Sequence, residues 1–538
     1  MPLLVFVLLA LLFLLSGFGL LQLFGLRLKV AYTITLSLLL GVALASVLPF
    51  LLQLCYIPLT GFTVFGSLVL AALLLSIPTA LAIRKSGFTA FRDERFPGRF
   101  HAAPYEMPFY IIIGFLVFVS VWRCYYLPPT SRDALSGPEA IAEFAFREHT
   151  MINSFFNIDL WSTNNQFKSP YLISLQLIFK LAGFPFGQIW LSIVFVSFTV
   201  FLYNALKETL HPILAGILLL VFFLTPEMYA YTFMVLYDYS NMVYLFLGLW
   251  FLFRYFAAAG PAADSPPPPG GAPSYFYFAG LLIGIATYIR SETLALALLF
   301  LPPILLTQWR KKTPLKKIAG TDALFLLPAV VGYILPNEIY NKHYLPIHFD
   351  VGGLVNHHLS NLSPLFQRYS DIVTRLLTGT FAIHLWGYLF YLTAVLFVGE
   401  AIFVRRFNRN ARNWLYAFAA LYLGIGALGW LLPLFDLNDT TKRALFKMLP
   451  VALLYLANNA LLIRFSRWII GWENAPGRVP VATPPPVGGT RSSPAGARPA
   501  ADKPALASGK TVLTKSGKTV VVPGSGSRKT PPGRKGKK

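Results

Sequence analysis

The residues best suited to chemistry open a polar stretch between two apolar runs: Ser131-Arg132-Asp133-Ala134-Leu135-Ser136, then Glu139, Glu143, Arg147, Glu148 and His149. A carboxylate at the mouth of a helix could take a proton from a hydroxyl held at a bilayer surface, and a second could bind a divalent cation. Asp133 could equally cap a helix or pair with Arg132. From Pro138 to His149 the spacing predicts a helix, with proline at its start and Ile141, Phe144 and Ala145 on one face.

A second candidate lies at the end of Gly280–Glu292, where an apolar run finishes in Arg290-Ser291-Glu292. The planar fork of Arg290 suits a phosphate, whereas an Arg290 to Glu292 pair or snorkelling to headgroups would be structural uses of the same residue. Tyr237-Asp238-Tyr239 precedes another apolar run, and Lys442, Arg443 and Lys447 precede a later one. Lys442 and Arg443 suit an anionic headgroup or leaving phosphate, although Lys442 beside Asp439 could be only a surface pair. His343, His348, His357 and His358 lack the helical spacing of a zinc site, so bound zinc is not expected there. Trp161 could stack on a sugar.

These residues must be positioned by membrane helices. The chain has 538 residues, 56% hydrophobic and only 12% charged, with a mean hydropathy of +0.61, against about 25% charged in soluble domains. Its net charge of +23 resides between apolar runs and near the C-terminus, not along one face of a folded domain, which argues against nucleic acid as a partner. Cys55 and Cys124 fall in or at the ends of apolar runs and offer neither a metal spacing nor an evident disulfide.

Runs of about 17 to 25 apolar residues can cross the hydrocarbon as helices. About thirteen candidates are expected, including 3–24, 31–54, 62–83, 107–126, 188–206, 211–225, 240–254, 276–290, 294–308, 321–338, 380–404, 413–432 and 445–463. The first has no basic residue before it and no cleavage site, and is expected to be a retained helix. Basic clusters at 84–99, 310–317, 405–412 and from 464 onward fall on one side of a thirteen-helix bundle, which predicts an outside N-terminus and an inside C-terminus.

That count requires 170–184 not to cross. Its polar stripe of Ser169, Gln176 and Lys180 predicts a helix lying in the outer interface. The outward segments 127–187 and 337–379 are too long to be plain connectors. The stretch 257–273, with Pro266 to Pro269 in a row, is expected to be a linker. Residues 464–538 carry fifteen basic and two acidic residues, in a composition too polar to bury a core. They are expected to be a disordered cytoplasmic tail that either contacts anionic lipid or acts only as a solvated extension.

The order of these features resembles the GT-C superfamily of integral-membrane glycosyltransferases, in particular bacterial relatives of the dolichyl-phosphate-mannose protein mannosyltransferases and the lipid A aminoarabinose transferase. Arg132-Asp133-Ala134-Leu135-Ser136 is similar to the family's Asp-Ala-Leu-Ser/Thr opening. Ser169-Pro170-Tyr171-Leu172 resembles its His-Pro-Pro-Leu. Gly280–Leu294 resembles the span that ends in Arg-Pro-Glu-Ala-Leu, Asp238 stands where an Asp often starts a helix, and Arg443 to Pro450 resembles the late Arg-Tyr-x-x-x-x-x-Pro stretch. Ser291 and Ala444 replace the family's Pro and Tyr, and the three helices within 1–106 fall outside the match, which covers about 107–463.

The resemblance implies an all-α, polytopic transmembrane bundle of GT-C type, with a catalytic core over 107–463. It implies an inverting enzyme of the bacterial inner membrane whose periplasmic active site moves a sugar from a polyprenyl-phosphate donor to a glycan, lipid or protein acceptor. In that reading Asp133 is the general base, Arg290, Lys442 and Arg443 hold the donor phosphate, and Glu139, Asp238 and His357 are acceptor or metal candidates, a divalent cation being the one cofactor to consider. The alternative is a lipid-linked sugar flippase or other multi-span transporter, which would place ionisable residues in mid-membrane and show paired repeats or broken helices. A scaffold acting through its basic tail would leave the acidic loop unexplained.

Overall fold

The computed structural model describes residues 2–87, 103–158, 168–258, 271–344, 360, 362–405, 407–431 and 439–473. Contacts divide the chain into Met1–Pro476 and Gly477–Lys538, and all the described residues belong to the first unit. Among them the secondary structure is entirely helical. His357, Trp161 and residues 474–538 lie outside the described residues.

Among the described residues, eight helices are long and apolar enough to cross a membrane: Pro2–Leu23, Val30–Leu54, Gly61–Lys85, Pro104–Tyr126, Trp190–Lys207, Tyr237–Ala258, Thr293–Arg310 and Leu315–Lys342. A ninth arises if Thr441–Asn458 and Ala460–Glu473, bent by 54° at Asn459, count as one span. The protein is therefore a multi-pass membrane protein by the length and apolarity of its helices.

The difference from thirteen has local causes. The run at 211–225 becomes Pro212–Phe223, 12 residues between Pro212 and Pro226, about 18 Å at 1.5 Å per residue and short of a hydrocarbon core of about 30 Å. The run at 380–404 contributes the 15-residue helix Leu389–Phe403, preceded by Gly387 at φ +54°. Pro273–Ile289 is likewise a shorter apolar helix.

Tight packing fixes the helix that will matter most. A Cβ at Gly280 would lie 2.5 Å from the Phe325 carbonyl oxygen, and one at Gly284 2.6 Å from Pro328. The Gly271–Ile289 helix thus touches Leu315–Ile334 backbone to backbone, as small residues permit in membranes. On its other side Gly248 admits Ile283, since a Cβ there would sit 2.7 Å from the Ile283 side chain. The end of this helix, where Arg290 stands, has its height set from two directions.

Two expectations are corrected. The helix Pro170–Leu181 is buried at every residue from Pro170 to Lys180, so it is not a surface helix in the interface. Its polar stripe is satisfied inside the protein: Gln176 Oε1 accepts from Trp190 Nε1 at 2.9 Å, and Lys180 pairs with Glu139 at 2.7 Å and with Glu143 at 2.9 Å. The stripe faces the helix Pro138–Glu148, whose Ile141, Ala142 and Ala145 are buried. Residues 464–473, counted with the tail in the sequence, continue the helix Ala460–Glu473.

Candidate active site

Six stretches of chain meet at one cavity of about 130 Å³, lined by Asp133, Lys168, Ser169, Tyr237, Asp238, Arg290, Glu292, Asn337 and Arg443 among others. The first stretch is the short turn Arg132–Leu135. Ser131 supplies its N-cap, accepting from Ala134 N at 3.2 Å, so the Asp133 carboxylate is left for other partners. It pairs with Arg443 Nη1 at 2.5 Å and with Lys168 Nζ at 3.7 Å.

Lys168 and Ser169 enter together. Ser169 caps Pro170–Leu181 through Tyr171 N, and its carbonyl accepts from the Tyr237 hydroxyl at 2.7 Å. Tyr237 and Asp238 form the first turn of Tyr237–Ala258, where the helix dipole favours a carboxylate. Asp238, with 2% of its side chain exposed, accepts from the Arg290 guanidinium. Arg290 Nε also pairs with Glu292 at 2.5 Å, and Glu292 receives the buried Lys447 Nζ at 2.8 Å.

The charges form two alternating chains, Lys168–Asp133–Arg443 and Asp238–Arg290–Glu292–Lys447. Three cations, Lys168, Arg290 and Arg443, and three carboxylates, Asp133, Asp238 and Glu292, therefore line the cavity, and Lys447 backs Glu292 from outside its lining. Burial works against the charge on Arg290, but Asp238 and Glu292 outweigh it and push its pKa up. Burial also opposes ionisation of Glu292, yet Arg290 and Lys447 bring it down to about 2. Lys168 behaves differently. Burial, helped by Arg290 and Arg443 and opposed by Asp133, brings its ammonium down to about 8. A much smaller cavity of about 10 Å³ shares Asp238, Arg290, Glu292 and Arg443 with the first and is completed by Lys447 and by Leu296, Ile425, Leu428 and Ala444.

Of the residues singled out from sequence, Asp133, Asp238, Arg290 and Arg443 share this cavity. Two others do not line it. Lys442 turns aside and pairs with Glu227 at 2.5 Å, because neighbouring residues on a helix diverge by about 100°. Glu139 is held under Pro170–Leu181 by Lys180 and Gln176, and burial raises its pKa despite Lys180.

Lys168, Glu292 and Lys447 were not assigned to the site in advance. The spacing of four between Arg443 and Lys447 places both on one helix face and was a readable signal. Among the described residues no three metal-ligating side chains converge, and the cavity's carboxylates are each engaged by a cation, so this donor set does not suit a metal. No family model, curated protein or solved structure matches the chain.

Proposed function

We propose that this protein is an inverting glycosyltransferase of GT-C type. It moves a sugar from a polyprenyl-phosphate donor to a glycan, lipid or protein acceptor at the outer, periplasmic face of a bacterial inner membrane. The observation that carries the reading is the convergence of Asp133, Arg290 and Arg443, 310 positions apart at the extremes, on one cavity that Lys168 also lines.

The same convergence supports the proposed sidedness. Residues that share a cavity share a side of the membrane, and the side proposed is the one opposite the main basic clusters, as the positive-inside rule favours. All of them stand at helix ends or in loops. A flippase or carrier would need its ionisable residues nearer mid-span.

In this mechanism the donor phosphate lies against Arg290, Arg443 and Lys168. The phosphate competes for Arg443 and Lys168 and so releases Asp133 from its two cations. The freed carboxylate takes the proton of the acceptor hydroxyl. The acceptor oxygen attacks the anomeric carbon from the face opposite the phosphate, the bond from that carbon to the phosphate oxygen breaks, and the configuration inverts. The phosphate leaves with one more negative charge, which the fixed cations stabilise where it develops.

The test is turnover of purified protein with a polyprenyl-phosphate sugar. Asp133→Asn is nearly isosteric but cannot take the proton, so turnover should fall by about 10² to 10⁴-fold, the usual worth of a general base. Glu139→Gln serves as the control for loss of a nearby carboxylate and should cost far less. Transfer by Asp133→Asn at the wild-type rate would remove the catalytic assignment. Wild-type protein that moved intact lipid-linked sugar across vesicles without forming a glycosidic bond would replace the enzyme reading with the transporter.

A further inference from the structure

The guanidinium of Arg290 is held by Asp238, but its backbone stands in a break. The Gly271–Ile289 helix ends just before it, and Thr293–Leu298 begins three residues later. Arg290 N still donates to the Ala286 carbonyl at 3.0 Å, and Thr293 N donates to the Arg290 carbonyl at 3.0 Å. Those local bonds alone leave the angle between the two helices to be set by something else.

The neighbouring helix supplies it. Asn241 is fully buried. Its Nδ2 donates to the Ala286 carbonyl at 2.7 Å and to Thr293 Oγ1 at 2.8 Å. The fork therefore grips the last turn before the break and the first residue after it. Its Oδ1, by contrast, is buried without a partner. A buried amide that leaves its acceptor unsatisfied is kept for what its donor does.

Asn241 lies three residues beyond Asp238 on the same helix, so both side chains face the same neighbour. One helix face thus fixes the tip of Arg290 through Asp238 and its root through Asn241. We propose that Asn241, with Thr293 as its partner, is a positioning residue that staples the Arg290–Glu292 break and aims Arg290 into the cavity. The inference rests on the donor-site reading above and names a residue that reading does not use.

The experiment is binding of undecaprenyl monophosphate to full-length protein in nanodiscs. Asn241→Leu should bind about tenfold more weakly, roughly the worth of one orienting hydrogen bond. Thr293→Val should also weaken binding, Thr293→Ser should restore it by returning the hydroxyl, and the Asn241→Leu/Thr293→Val double variant should be no weaker than Asn241→Leu alone, since both break one staple. A merely structural contact would not distinguish serine from valine in affinity.

Arg290→Ala separates the two claims. If it loses binding while Thr293→Val and Thr293→Ser both bind as wild type, the staple is wrong and the donor site stands. If Arg290→Ala binds as wild type, the donor-site reading falls and the staple's role with it. Full additivity in the double variant overturns the staple as well. Should Asn241→Leu fail to fold, the valine and serine variants at Thr293 decide the matter alone.

Discussion

Two ion clusters stand at opposite ends of the same spanning helix, Pro104–Tyr126, and only one has the character of a site. At its start, Glu106 is closed off. Its carboxylate accepts from Tyr110 OH, Tyr203 OH and Lys207 Nζ, each at 2.7 Å, and from Ala103 N at 3.2 Å, and its side chain is 3% exposed. Beyond the other end, Asp133 is 24% exposed, shares its charge with two cations and faces a cavity. Glu106 has four donors and lines neither of the two cavities described above, whereas Asp133 lines the larger of them and is held by cations that an anion would compete for. A buried ion pair is thus a sign of structure until it is also accessible and exchangeable.

The sharpest way to break this comparison is to neutralise each carboxylate. Asp133→Asn should lower turnover by about 10² to 10⁴-fold with little change in thermal stability. Glu106→Gln should leave turnover per folded molecule nearly unchanged while destabilising the protein by about 3 kcal/mol or more, as removal of one partner from a buried pair does. Comparable turnover losses in the two variants, measured on monodisperse protein, would erase the distinction.

A smaller effect should come from Lys447→Met, which removes the buried cation that Glu292 leans on. Affinity for a polyprenyl phosphate should fall about tenfold or less, because Arg290 remains. Titration of binding against donor concentration checks it.

The pH dependence sharpens the contrast further. Lys168 is brought down to about 8, so it is charged below that value and loses its proton as the pH rises through it. Donor affinity should therefore be complete near neutrality and weaken above about pH 8, and Lys168→Arg, which stays charged, should flatten the decline. An alkaline decline of the same size in Lys168→Arg would assign the titration to another group. The least effect should come from deleting 474–538, which leaves every residue around the cavity in place and is expected to preserve in vitro turnover.

Much of the site was legible because chemistry and spacing agreed. Asp133 follows a long apolar run, Arg290 ends one, and Asp238 begins one, so each was marked as a charge at a membrane boundary. Arg443 and Lys442 could not be separated by composition, since two adjacent cations look alike until the helix turns one of them toward Glu227. The place of Glu139 outside the cavity lining has a related reason. Its partner Lys180 lies 41 positions away, and the matching spacings of Glu139 with Glu143 and of Gln176 with Lys180 acquire meaning only when the two helices are laid together. Some of the thirteen apolar runs form helices shorter than a span, where proline or a break at Asn459 interrupts the run without making it less apolar.

The most direct measurement is an experimental structure of the full-length protein in nanodiscs with undecaprenyl monophosphate. The account predicts phosphate density within hydrogen-bonding distance of both Arg290 and Arg443, with Asp133 released from Arg443. Density for the phosphate away from both arginines, with the Asp133 to Arg443 pair intact, would contradict it.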